Sequence, residues 1–155
     1  MTTVQTLLEP VRDYLLMQHE RLRAAKPDPV TLLQSLAFHA SRGTLAVVWN
    51  AALCRDAATP AGLAIAYQRK EADIRERGEE VFAWRGNDAQ GDSVYLALVL
   101  ATDRRAMRPL AGYFLERFPQ WRGLKQWAHR RGRLVRVDGL LQRLSGAQGT
   151  ARPTK

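Results

Sequence analysis

The chain has 155 residues, of which 46% are hydrophobic and 25% charged, a composition that buries one core and excludes a disordered chain. The formal net charge is +9, and the single cysteine, Cys54, excludes an intramolecular disulfide and any cysteine-based metal cluster. No apolar run approaches the roughly 20 residues of a membrane span. The N-terminal MTTVQTLLEP also lacks the basic-then-apolar layout of a signal peptide, so a cytoplasmic location is expected.

Residues 4 to 24 place Leu7, Leu8, Val11, Leu15, Leu16 and Leu22 at helical spacing, with Pro10 expected in the first turn. Asp28 and Pro29 read as the N-cap and first position of a second helix reaching about Ser41, with Gly43 as its C-cap. Thr44 to Trp49 and Pro60 to Tyr67 are apolar, β-prone runs and predict strands, whereas the intervening Asn50 to Thr59 reads as a loop or a strand end. Gln68 to Glu80 is almost wholly charged, either an exposed helix or a solvated loop. Val81 to Trp84 predicts a short strand before the turn cluster NDAQGD.

Val94 to Ala101 is an apolar run of strand length, the pattern of a central strand covered on both faces. Met107, Leu110, Ala111, Phe114, Leu115 and Phe118 then follow at helical spacing and predict a helix over 104–118, closed by Pro119. Leu124 to Val137 predicts a strand pair or one bent strand about Gly132, and Gly139 to Leu144 a terminal helix. The fold class is therefore α/β (α+β): one mixed sheet flanked by helices, in a single domain over residues 1–144, with a disordered basic tail over 145–155.

Charge is unevenly placed. Residues 104–143 hold eleven basic side chains against Glu116 and Asp138, whereas residues 1–103 are slightly acidic. This asymmetry implies an anionic partner: nucleic acid, a phosphorylated cofactor, an acidic protein or a membrane surface. Arg104, Arg105 and Arg108 cluster at a helix N-terminus, where three cations oppose the helix dipole unless an anion sits among them or they splay into water. Trp121 and Trp127 are interleaved with Arg130, Arg131, Arg133 and Arg136, a mixture that serves either nucleic-acid binding or a solvated basic face with the tryptophans covering the sheet edge.

The element order, with strand, loop, helix and strand over 94–137, resembles the GNAT-type N-acyltransferase fold. The loop TDRRAMR has no glycine, and the helix ends in Arg117-Phe118-Pro119. In both respects the chain is similar to the toxin-activating lysine acyltransferases. That resemblance implies acyl transfer from acyl-CoA or an acidic acyl carrier protein. It also implies a catalytic histidine near the N-terminus, for which His19 is placed, and a catalytic aspartate on the central strand. That strand, VYLALVLA, has none, and Asp103 just past its end is the candidate carboxylate, with Arg104, Arg105 and Arg108 of the loop as the cofactor grip. Read from the residues alone, His19 is a surface histidine or a general base, and Asp103 is a helix N-cap or a catalytic carboxylate. His19, His39 and His129 share no metal-ligand spacing, so no metal is expected. Two non-enzymatic alternatives stand beside the acyltransferase: a nucleic-acid-binding protein of a phage or mobile element, and an assembly protein whose basic face meets an acidic partner.

Overall fold

A computed structural model describes residues 3–50, 59–77 and 86–146. The predicted strand at 81–84, most of the 50–59 connection with Cys54, and the tail beyond Gly146 lie outside the described residues. Three helices, α1 (Thr3–Gln18), α2 (Glu20–Ala24) and α3 (Pro29–Arg42), lead into strands β1 (Leu45–Trp49) and β2 (Pro60–Arg69). Helix α4 (Glu71–Arg77), strand β3 (Ser93–Ala101), a 3₁₀ turn (Arg104–Ala106) and helix α5 (Met107–Arg117) follow. Strands β4 (Lys125–Arg130) and β5 (Arg133–Arg136) and helix α6 (Leu140–Ser145) complete the chain. The five strands form one mixed sheet in sequence order, in which only β3 and β4 pair parallel among the described residues.

Helices cover both faces of the sheet. On one, α5 and α6 pack on Ala46, Ala64, Ala66, Val94 and Leu96. On the other, α1 and α3 pack on Leu45, Leu63, Ile65, Tyr67 and Tyr95. The alanines let α5 sit close to the sheet. At Gly62 a Cβ would lie 2.9 Å from Ala106 Cβ and 3.0 Å from the Leu100 carbonyl, so the approach of α5 requires glycine there. Fully burying a side chain such as Phe114 contributes about 1.5–3 kcal/mol.

Several local signals hold. Asp28 caps α3 by accepting from Thr31 N–H at 2.9 Å, with Pro29 at the first helical position, and Gly43 ends α3 in the left-handed conformation. Other expectations need correction. Pro10 lies inside α1 rather than in its first turn, because the helix already starts at Thr3. The first helix also breaks at His19, whose extended backbone (φ −104°, ψ 94°) makes it the N-cap of α2. Arg23 turns back on this break, donating to the carbonyls of Leu16 (3.2 Å) and Met17 (2.9 Å), which closes the C-terminus of α1. Of the two readings of the charged 68–80 stretch, the helix is the one found, over Glu71–Arg77, with Asp92 accepting from the Glu71 N–H at 2.9 Å, while Gln68 and Arg69 extend β2. Ser145, expected in the tail, is the last residue of α6.

Candidate functional site: a slot through the sheet

The site begins with a fault in strand pairing. Ile65 pairs with Leu98 and Ala66 with Leu96, so Ala97 is an extra residue on β3, a β-bulge. The bulge changes the alternation of side chains. Val94 and Leu96 face α5 and α6, Ala97 and Leu98 both face the opposite layer, and Val99 returns to the α5 side. Pairing between β3 and β4 stops at the same level, with Leu96 opposite Ala128 as the last pair. A bulged strand bends away from a straight neighbour, so β3 and β4 part and leave the β4-facing edge of residues 97–101 without a strand beside it among the described residues.

The opening is a groove of about 440 Å³. Ala97, Leu98, Leu100 and Ala128 form its strand walls, and side chains from both layers line it. On the α1 side stand His19 and His129; on the α5 side stand Met107, Leu140 and Leu144. Helix α6, which supplies that last wall, is tied to β4 by the buried Gln126. Its side chain accepts from Leu141 N–H (3.0 Å) and donates to Gln142 Oε1 (2.9 Å), satisfying a helix start that has no cap of its own.

His129 is oriented from below. Its Nδ1 lies 2.6 Å from the Tyr95 hydroxyl, with the rings edge to face at 5.5 Å. Tyr95 packs on Tyr67, which stacks on the fully buried His39, so a row of rings runs across the sheet to the groove. Half-buried His19 accepts the Leu22 N–H on Nδ1 at 3.1 Å. In the neutral ring this leaves the proton on Nε2, so His19 is a hydrogen-bond donor in this conformation rather than a base.

The other sequence-derived candidates are placed as follows. Asp103 is not on the groove wall: it caps the 3₁₀ turn by accepting from Arg105 N–H (2.9 Å) and pairs with the Arg105 guanidinium (2.8 Å). Arg108 donates to the Ser145 carbonyl at 3.1 Å, tying α5 to the end of α6. Arg104 is exposed and makes no side-chain hydrogen bond among the described residues. The dipole conflict seen in the sequence is thus partly relieved within the chain, by a carboxylate and a carbonyl. The trio sits just beyond the end of β3, next to Met107 on the groove wall.

Trp127 is not a stacking platform. It is 6% exposed, donates its indole N–H to Ser93 Oγ at 3.1 Å, and has the guanidiniums of Arg75 and Arg136 over its ring at 4.9 and 5.3 Å. Trp121 is fully buried, stacked on Phe118 and bonded to Gln68. Arg130, Arg131, Arg133 and Arg136 are exposed on the β4–β5 hairpin, with Arg130 at the groove rim and Arg136 paired to Asp138 at 2.6 Å. That Arg136 guanidinium, helped by the Gln126 N–H, holds the Asp138 carboxyl below its ordinary value. No three His, Cys, Asp or Glu side chains converge as a metal site, and no helix is long and apolar enough to cross a membrane, among the described residues.

Sequence reasoning missed the pairing of His129 with Tyr95. The two are 34 positions apart, and only the parallel register, which sets Tyr95 opposite Trp127, brings His129 to the same face two residues on. No family model matches the chain, and no curated protein or solved structure matches it.

Proposed function

We propose that this protein is an acyltransferase that holds a fatty-acyl thioester, carried on a phosphopantetheine arm of coenzyme A or an acyl carrier protein, in the slot between β3 and β4. The observation that carries the reading is the parting of these parallel strands at the Ala97 bulge. It provides an open strand edge for an amide-bearing arm and apolar walls for an acyl group. Arg104, exposed at the head of the slot, meets the phosphate end, and Arg108 supports it when released from Ser145. This arrangement supports kinship with GNAT-like enzymes that lack a glycine loop.

In this reading His129 is the base. When Nδ1–H is donated to the Tyr95 hydroxyl, Nε2 presents a lone pair toward the groove and takes a proton from the attacking amine. The amine forms a bond to the thioester carbonyl carbon, the thiolate leaves, and His129 returns the proton to it. His19, with Nε2–H outward, donates to the carbonyl oxygen as negative charge grows there. Asp103 has no part in this chemistry and serves as a cap.

The test is a titration of palmitoyl-CoA thioether and of palmitoylated acyl carrier protein into wild type, Val99→Trp and Arg104→Glu. Val99 is 40% exposed, so its replacement plugs the slot with little effect on folding. Binding by wild type that is lost in Val99→Trp and weakened in Arg104→Glu supports the reading; no binding of either donor, or binding indifferent to Val99→Trp, refutes it. A second reading rests on the four exposed hairpin arginines, which suit sequence-independent contact with a polyanion. With Trp127 covered, that contact is electrostatic only.

A further inference from the structure

Resting on the acyl-thioester reading, we infer that Ala66 and Ala111 set the length of acyl chain this protein accepts, by fixing the depth of a void beneath α5. The slot does not end at the sheet. Behind its α5-side mouth lies a small apolar recess of about 20 Å³, bounded by Ala64 and Ala66 from β2, Ala111 and Phe114 from α5, and Leu141 from α6. Leu96, Val99, Met107 and Leu144 border both spaces, so only side chains divide them.

Three features make this void the end of a ligand path. Every residue around it is apolar, and a cavity without polar partners stays dry, while about 10–15 Å³ of such space admits one water-sized group. It therefore takes one or two terminal carbons at no cost in displaced water. Its divider is adaptable, because Met107 is unbranched and stands at the head of α5, and Leu144 lies two residues before the left-handed Gly146 that ends α6. Its lining includes three small side chains, Ala64 and Ala66 from β2 and Ala111 from α5, of which Ala66 and Ala111 are 1% and 3% exposed. A larger side chain at Ala66 or Ala111 would take up part of so small a space.

The experiment is a chain-length series, from acetyl through octanoyl to palmitoyl, of CoA thioethers and of the corresponding free carboxylates, measured with wild type, Ala66→Val and Leu144→Ala. In wild type, affinity should rise about fourfold per methylene until the void is filled and then level off. Ala66→Val should weaken the longest chains about tenfold or more, leave acetyl unchanged, and melt no lower than wild type. Leu144→Ala, which opens the divider rather than filling the floor, should shift the plateau to longer chains. Free carboxylates should follow the same length dependence with lower affinity. Affinity independent of chain length in wild type, or an equal effect of Ala66→Val on all lengths, overturns the inference while leaving the slot as a thioester site. Length-dependent binding of carboxylates without binding of any thioether keeps the void and removes the pantetheine reading, whereas no binding in either series removes both.

Discussion

The Tyr95 hydroxyl and His129 Nδ1, 2.6 Å apart across the parallel strands, form a short contact at the point where those strands separate. The contact engages Nδ1 and leaves Nε2 as the other ring nitrogen, the logic by which a second group sets the tautomer of a histidine. On the proposed acyltransferase function, His129→Gln should lower acyl transfer about 10²–10⁴-fold, the usual worth of a general base, with little change in donor affinity. Tyr95→Phe should lower it less, about tenfold, in kcat rather than KM. Stopped assays of transfer to a lysine-containing acceptor check both. A Tyr95→Phe variant that merely melts lower, with unchanged kcat, makes the contact structural.

Trp127 and the hairpin arginines should behave oppositely. Trp127→Ala removes a buried ring and its bond to Ser93, and should cost about 3–5 kcal/mol of stability. Charge reversal at Arg130, Arg131 and Arg133 should leave the melting temperature nearly unchanged, since these side chains are exposed. It should abolish whatever salt-sensitive affinity for nucleic acid the protein has. Thermal melts and anisotropy at two salt concentrations measure both. Nucleic-acid binding that survives high salt would contradict a purely electrostatic hairpin.

Acid should destabilise the fold through four carboxylates. The Thr31 N–H and hydroxyl hold Asp28 below its ordinary 3.8; the Glu71 N–H, with Ser93, holds Asp92 below 3.8. Arg75, with Lys125, holds Glu71 below 4.5; Arg136 and the Gln126 N–H hold Asp138 below 3.8. Each group binds a proton less readily folded than unfolded. The stability it contributes is therefore complete above the ordinary value and lost as pH falls through the depressed one. These groups are solvent-exposed enough that salt screens part of the effect. Melting temperature should fall as pH drops below the ordinary carboxylate values, and Asp92→Asn and Asp138→Asn should each flatten that slope. An unchanged slope in both variants would contradict this assignment.

Gly62→Val should be the most damaging small substitution in the sheet. Its side chain would meet Ala106 and Leu110, lifting the start of α5. Overpacking of this kind costs about 1–3 kcal/mol. Gly112 provides the control, because a Cβ added there would meet no atom within 4 Å. Gly112→Ala should raise stability by up to about 1 kcal/mol, the gain of alanine over glycine inside a helix. Urea unfolding of the two variants gives the comparison.

Local chemistry made much of the fold legible. Asp28-Pro29 and Gly43 bound α3 by capping, and the uninterrupted apolar run at 94–101 marks the central strand, which is buried over Ser93–Leu96 but exposed at Val99 and Ala101. The slot was beyond reach, because a bulge is a matter of register between strands far apart in sequence, and Ala97 looks like any other residue of that run. Pattern left Trp127 open between a stacking platform and a cover for the sheet edge; the ring is 6% exposed, with the guanidiniums of Arg75 and Arg136 over it. Asp103 was ambiguous until its hydrogen bonds to Arg105 showed a cap.

The most direct test of a thioester in the slot is amide hydrogen exchange with and without palmitoyl-CoA thioether. Residues 97–101 present an open edge toward β4, and amides on such an edge exchange rapidly. Ligand bound along that edge should slow exchange over 97–101 and at His129 and Arg130, and leave β1 and β2 unchanged. Protection confined to the β4–β5 hairpin, or no protection at saturating ligand, would contradict it.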